Sequence, residues 1–64
     1  MFKVRMVSKS GSVIFAAASG HASDWVTENK PEPEAVLATR EAAEQLAALV
    51  VTKGYATPRV VTNG

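Results

Sequence analysis

The chain has no cysteine, a single histidine and only four aromatic side chains in 64 residues. The first absence excludes a disulfide framework, a thiol nucleophile and any thiolate metal site, and it fits a reducing compartment. The second leaves His21 with no other histidine at ligand spacing, so neither a metal nor a cofactor is expected. No apolar run approaches the roughly 20 residues of a membrane span. Lys3 and Arg5 interrupt any early apolar segment, so no signal peptide is expected and a cytoplasmic location is. A formal net charge of +1 supplies no global field to steer nucleic acid or a membrane surface. Glycine-rich phosphate loops and nucleophile motifs are missing as well. A chain of this length also has little room for a ligand pocket of the usual several hundred cubic ångströms. The expectation is a protein that is not an enzyme.

What is present is one small domain spanning residues 1–64. Chains this short bury only about 60% of their unfolded surface, and small scaffolds recruit disulfides, metal or a second subunit to compensate. With the first two excluded, helix-on-sheet packing or oligomerisation is left, which favours a protein partner or a homodimer. Charge is unevenly placed. Lys3, Arg5 and Lys9 crowd the start, while Asp24, Glu28, Glu32, Glu34, Glu41 and Glu44 fill the middle, predicting a basic edge and an acidic one.

Phe2-Lys3-Val4-Arg5-Met6 alternates apolar and basic residues, the period of a strand with Phe2, Val4 and Met6 facing a core. Ser8 to Ser12 reads as a turn, with Gly11 free to take positive φ. Val13 to Ala18 is apolar on both faces, which predicts a second strand at the centre of the sheet. Ser19 to Asp24 is loop by composition, and Trp25-Val26-Thr27 has the β propensity for a short third strand. Asn29 to Pro33 carries two prolines and reads as a stiff, exposed loop.

Ala35-Val36-Leu37-Ala38 then runs into a helix with Thr39 as N-cap and Glu41 in the first turn. Ala42, Ala43, Leu46, Leu49 and Val50 form its apolar stripe, and Gly54 closes its C-terminus. Arg40, Glu41, Glu44 and Gln45 fall on the wet side, and Val51 lies towards it, where it extends an apolar patch. Pro58 to Thr62 reads as a last strand. The fold class is α+β: a small antiparallel-type sheet in the order β-β-(β)-α-β, with one helix packed on one face.

Two stretches, Trp25-Val26-Thr27-Glu28 and Val36 to Glu44, resemble small single-domain bacteriophage proteins, which pair a Trp-containing strand with a capped Glu-Ala-rich helix. Gly54-Tyr55 followed by Arg59-Val60-Val61 is similar to the ending of small phage inhibitors of bacterial RNA polymerase. In those inhibitors arginines on the last strand dock onto the polymerase. Arg59 matches one of them, and the place of a second, two residues on, is Val61 here. The lysine-glycine-aromatic ending also looks like sporulation-related repeat domains, which bind peptidoglycan. The phage resemblance implies an accessory protein that docks on a host protein, in the transcription or defence machinery, and alters its activity by steric occlusion.

Candidate sites are few. His21 beside Asp24, with Ser19 or Ser23, gives an imaginable triad, but a solvated loop histidine is the better reading because nothing builds a cleft around it. The carboxylates Asp24, Glu28, Glu32 and Glu34 could be taken for a calcium or paired-carboxylate site, but their spacing matches no calcium loop and they read as a solvated acidic loop that can serve as a docking edge. Lys3, Arg5, Lys9 and Arg59 assemble on paired strands as a basic sheet face. Phe2, Phe15 and Trp25 are expected in the core, leaving Tyr55 as the exposed aromatic. The partner-binding set is therefore Lys3, Arg5 and Arg59 with Glu28, Glu32 and Glu34. A host protein is the first expectation for what it binds. A nucleic acid on the basic face is the second and a self-assembling homodimer the third, with no membrane association.

Overall fold

The computed structural model describes residues 1–8, 10–23, 26–27 and 30–63, with backbone alone at 26, 27, 30 and 31. Its elements are β1 (Phe2–Val7), β2 (Val13–Phe15), β3 (Val26–Thr27), β4 (Lys30–Pro31), α1 (Arg40–Thr52) and β5 (Ala56–Thr62). β2, β1 and β5 form an antiparallel sheet in that order, and β3 and β4 pair as a separate two-stranded ladder. The α+β class and the single helix agree with the sequence reading. Lys3 and Arg5, the charges of β1, alternate out of the core as expected.

The centre of the sheet does not agree. β1 is the middle strand, and the second strand stops at Phe15 on the edge, with Val13 exposed. The apolar run continues as irregular chain instead. Ala16 donates to the Val4 carbonyl (2.9 Å), Ala17 donates to the His21 carbonyl (2.8 Å), and the Ala16 carbonyl accepts from Ala35 (2.9 Å). Ala16 and Ala17 are thus buried by neighbouring loops, which explains an apolar run without central-strand pairing. Two-sided apolarity marks two-sided burial, and flanking loops supply it here as well as strands would.

The segment before the helix fills the gap this leaves. Phe2 and Leu37 exchange both main-chain hydrogen bonds, at 2.8 and 2.7 Å, so residues 35–37 continue the edge that β2 begins. Lys30–Pro31, expected as loop, pairs with β3, a two-residue ladder in which a proline is tolerated at an edge. Trp25 lies outside the described residues, so its expected strand is seen only as Val26–Thr27.

The core lies between α1 and the Phe2-Val4-Met6 face of the sheet. Val4, Met6, Ala16, Ala22, Ala43, Leu46 and Val50 form it, with Phe2, Ile14, Leu37, Tyr55 and Val60 packed around. Thr39 caps the helix, its Oγ1 accepting from the Ala42 N–H at 3.1 Å. At the other end Gly54 takes φ +94°. Tyr55 donates to the Val50 carbonyl and Gly54 to that of Val51, the paired bonds of a Schellman ending. Leu49, expected inside the stripe, is 37% exposed because it sits at the stripe's margin over Gly20. A Cβ added at Gly20, where φ is +87°, would stand 2.7 Å from the Leu49 Cγ.

β5 carries an irregularity. Arg59 pairs with Arg5 but Ala56 pairs with Val7, so β5 holds one extra residue as a bulge. Thr57 adopts φ +50° there, just before Pro58, a left-handed conformation rare for a β-branched residue.

Candidate functional site: a cationic sheet face

Strand alternation sends Phe2, Val4 and Met6 to the helix, so Lys3, Arg5 and Val7 project to the opposite face. The registers Arg5↔Phe15 and Val7↔Val13 bring in β2, and Lys3↔Val61 and Arg5↔Arg59 bring in β5. This face therefore carries Lys3, Arg5 and Arg59 among Val7, Val13, Phe15 and Val61. No described helix covers it. Of the sequence-predicted site residues the structure gathers the three cations on one face. Lys9, expected with them, and Glu28 lie outside the described residues.

Phe15 corrects the sequence reading. It was expected in the core, yet its register opposite Arg5 puts it on the open face, half-buried, with the Lys3 ammonium 5.3 Å from its ring centroid. Tyr55, expected to be the exposed aromatic, is half-buried against the core with its ring edge-on to His21, centroids 6.2 Å apart. Side-chain parity along a strand decides the face, and Phe15 differs from the core residues Ile14 and Ala16 by one step. That signal was available in the sequence once the pairing partner of Phe15 was known.

The acidic loop does not stand apart from the basic face. Glu34 reaches across to Lys3, Nζ to Oε1 2.6 Å, in an ion pair about a quarter to two-fifths exposed. It is worth little in water-facing surroundings, on the order of 1 kcal/mol or less. It does neutralise the Lys3 end of the face. Glu32 is half-buried and makes no ion pair among the described residues.

Arg5 and Arg59 are different. They stand directly opposite each other on neighbouring strands, both exposed, and neither has an ion pair among the described residues. Like charges placed so oppose sheet formation, by about 0.2–1 kcal/mol. Arg40, on the wet side of α1, lies over the Phe2 ring at 5.3 Å.

The imagined triad does not assemble from what is described. The His21 main-chain N–H donates to Ser19 Oγ (3.4 Å) and the His21 ring meets Tyr55, while Asp24 is outside the described residues. No three His, Cys, Asp or Glu side chains among the described residues cluster at metal-binding distance. No helix is long and apolar enough to cross a membrane. No protein-family model, curated protein or solved structure matches the chain.

Proposed function

We propose that the chain is a non-catalytic binding module that docks on another protein through the open face of its sheet. The observation that carries this reading is the Arg5↔Arg59 pair. The fold gains nothing from two opposed guanidiniums, and a partner surface bearing carboxylates gains two forked donors at once. Around them Val7, Val13, Phe15 and Val61 supply the apolar contact area, and arginine with aromatic side chains is the composition of interface hot spots. Charge would set orientation and on-rate, and a small rigid domain seated on a partner acts by occlusion. The likeness of Gly54-Tyr55 and Arg59-Val60-Val61 to the phage polymerase inhibitors directs the first search to bacterial transcription and defence proteins.

A pull-down from bacterial lysate, with nuclease and at two salt concentrations, tests the proposal. One stoichiometric protein retained by the wild type and lost with the Arg5→Thr/Arg59→Thr double variant is the expected result. Equal capture by both sinks the role of this face.

Phe15 favours a second reading, a single-stranded nucleic acid. A ring on an open sheet beside arginines is the arrangement on which bases stack. Retention that vanishes with nuclease, or oligonucleotide binding that falls steeply with salt and with Phe15→Leu, would move the function there.

A further inference from the structure

We infer that β5 is also a homodimer interface, its outer edge pairing antiparallel with β5 of a second copy into a continuous sheet of six strands, twice the three of one chain. The inference stands on the edge and does not depend on the open face.

The two edges of the sheet are finished differently. On the β2 side the edge is closed from Phe15 onward: Ser23 donates to the Phe15 carbonyl at 2.9 Å, and Ala17 to that of His21. On the other side β5 has only β1 as neighbour among the described residues. The direction of its spare groups follows from β1. Phe2 and Val4 turn their main-chain groups towards Leu37 and Ala16, so Lys3 and Arg5 turn theirs towards β5. Their partners Val61 and Arg59 face back, and Asn63 donating to the Met1 carbonyl at 2.9 Å keeps the same alternation. The N–H and C=O of Val60 and Thr62, and the Pro58 carbonyl, therefore point outward. Monomeric sheets blunt such an edge with prolines, bulges or lysines. Here the proline and the bulge stand at one end only, leaving Arg59 to Thr62 open.

That edge complements itself. With the two-fold axis at Val60, each Val60 donates to the other's carbonyl and each Thr62 donates to the opposite Pro58 carbonyl. Pro58, which lacks an N–H, is called on only as an acceptor. Arg59 then stands opposite Val61 of the second copy. A shift of the axis by one residue, to Arg59, would place the two arginines against each other.

Apolar surface lies on the same side. Leu49 sits over Gly20 beyond the β2 edge, and Val51 is about 200° further round the helix, on the flank away from it. Val51 is 55% exposed, and Val60 of β5 is only half-buried. Among the described residues the largest fully buried side chains are only Met6, Val4 and Val50, and a second copy would bury more apolar surface.

The mass of the full chain is to be followed by sedimentation equilibrium from about 1 µM to about 1 mM, a range that brackets weak and moderate dimers. The expected result is a rise from 6.7 kDa to twice that value. Thr62→Pro removes an outward donor and leaves the β1 ladder intact, and Val51→Lys charges the exposed flank. Each is expected to weaken the dimer by about tenfold or more without unfolding the monomer. Because the chain has no cysteine, Val60→Cys reports the register directly. Paired Cα atoms about 5.5 Å apart fall within disulfide range, so it cross-links on oxidation, and Val13→Cys on the open face does not. A chain that stays monomeric to about 1 mM overturns the inference. So does a dimer unmoved by Thr62→Pro and Val51→Lys, or one that cross-links through Val13→Cys and not Val60→Cys.

Discussion

The two faces of β1 differ by one residue in register and in almost everything else. The face that carries Val4 and Met6 is dry, uncharged and covered by α1. The face that carries Lys3 and Arg5 has no described helix over it, and it sets Arg5 against Arg59. On the first face the side chains agree with one another, since apolar groups from β1, β2, β5 and α1 meet in a single cluster. On the second they conflict, and a local conflict that the fold does not need is where function is sought. A single strand thus separates what holds the domain together from what it offers to a partner.

The comparison predicts unequal responses to substitution. Met6 is the largest fully buried side chain among the described residues, and Met6→Ala opens a cavity in the core. A loss of about 2–5 kcal/mol is expected, read from the denaturant midpoint, and in a domain of this size that leaves a large unfolded fraction at room temperature. A loss under about 1 kcal/mol would mean that the covered face is less tightly packed than its burial indicates.

Gly20→Ala comes next. It forces an L side chain into positive φ and drives its Cβ into Leu49, at a cost of about 1–3 kcal/mol. Shortening the neighbour in Gly20→Ala/Leu49→Ala should recover the steric part and leave the backbone part. Full recovery would mean that φ contributes nothing.

Thr57→Gly should act in the opposite direction. Thr57 holds φ +50° at the bulge, where glycine carries no Cβ to clash. The left-handed cost of about 1–2 kcal/mol is relieved and partly offset by the larger chain entropy of unfolded glycine, for a net gain of about 0.5–1 kcal/mol by thermal or denaturant unfolding. If the strain serves the fold alone, partner capture is unchanged.

Much of the covered face was legible in the sequence. Alternation at Phe2 to Met6, the cap at Thr39 and the ending at Gly54 are local signals, and each has the expected geometry. What depended on pairing was less legible. Val13 to Ala18 reads as a central strand because both faces are apolar, but the partners of Ala16 and Ala17 are His21, Ala22, Glu34 and Ala35, which no local window reveals. The same ignorance of partners put Phe15 in the core and Tyr55 in solvent. The candidate face was legible as a composition of Lys3, Arg5 and Arg59. The opposition of Arg5 and Arg59, which gives it meaning, is a register fact that appears only when β1 and β5 are paired.

The smallest expected effect is the most discriminating. Arg59→Thr removes one member of the opposed pair and puts a good strand former in its place. The domain should gain about 0.2–1 kcal/mol, and Arg5→Thr should gain a similar amount. Combined, the two should gain less than their sum, because either change alone already relieves the repulsion. Partner binding should move the other way, each single variant weakening capture and the double variant abolishing it. A domain that grows more stable as it binds less well has kept the two arginines for its partner. If instead Arg59→Thr destabilises the domain, the guanidiniums are held by interactions within the sheet, and the contrast between the two faces is one of solvent exposure alone.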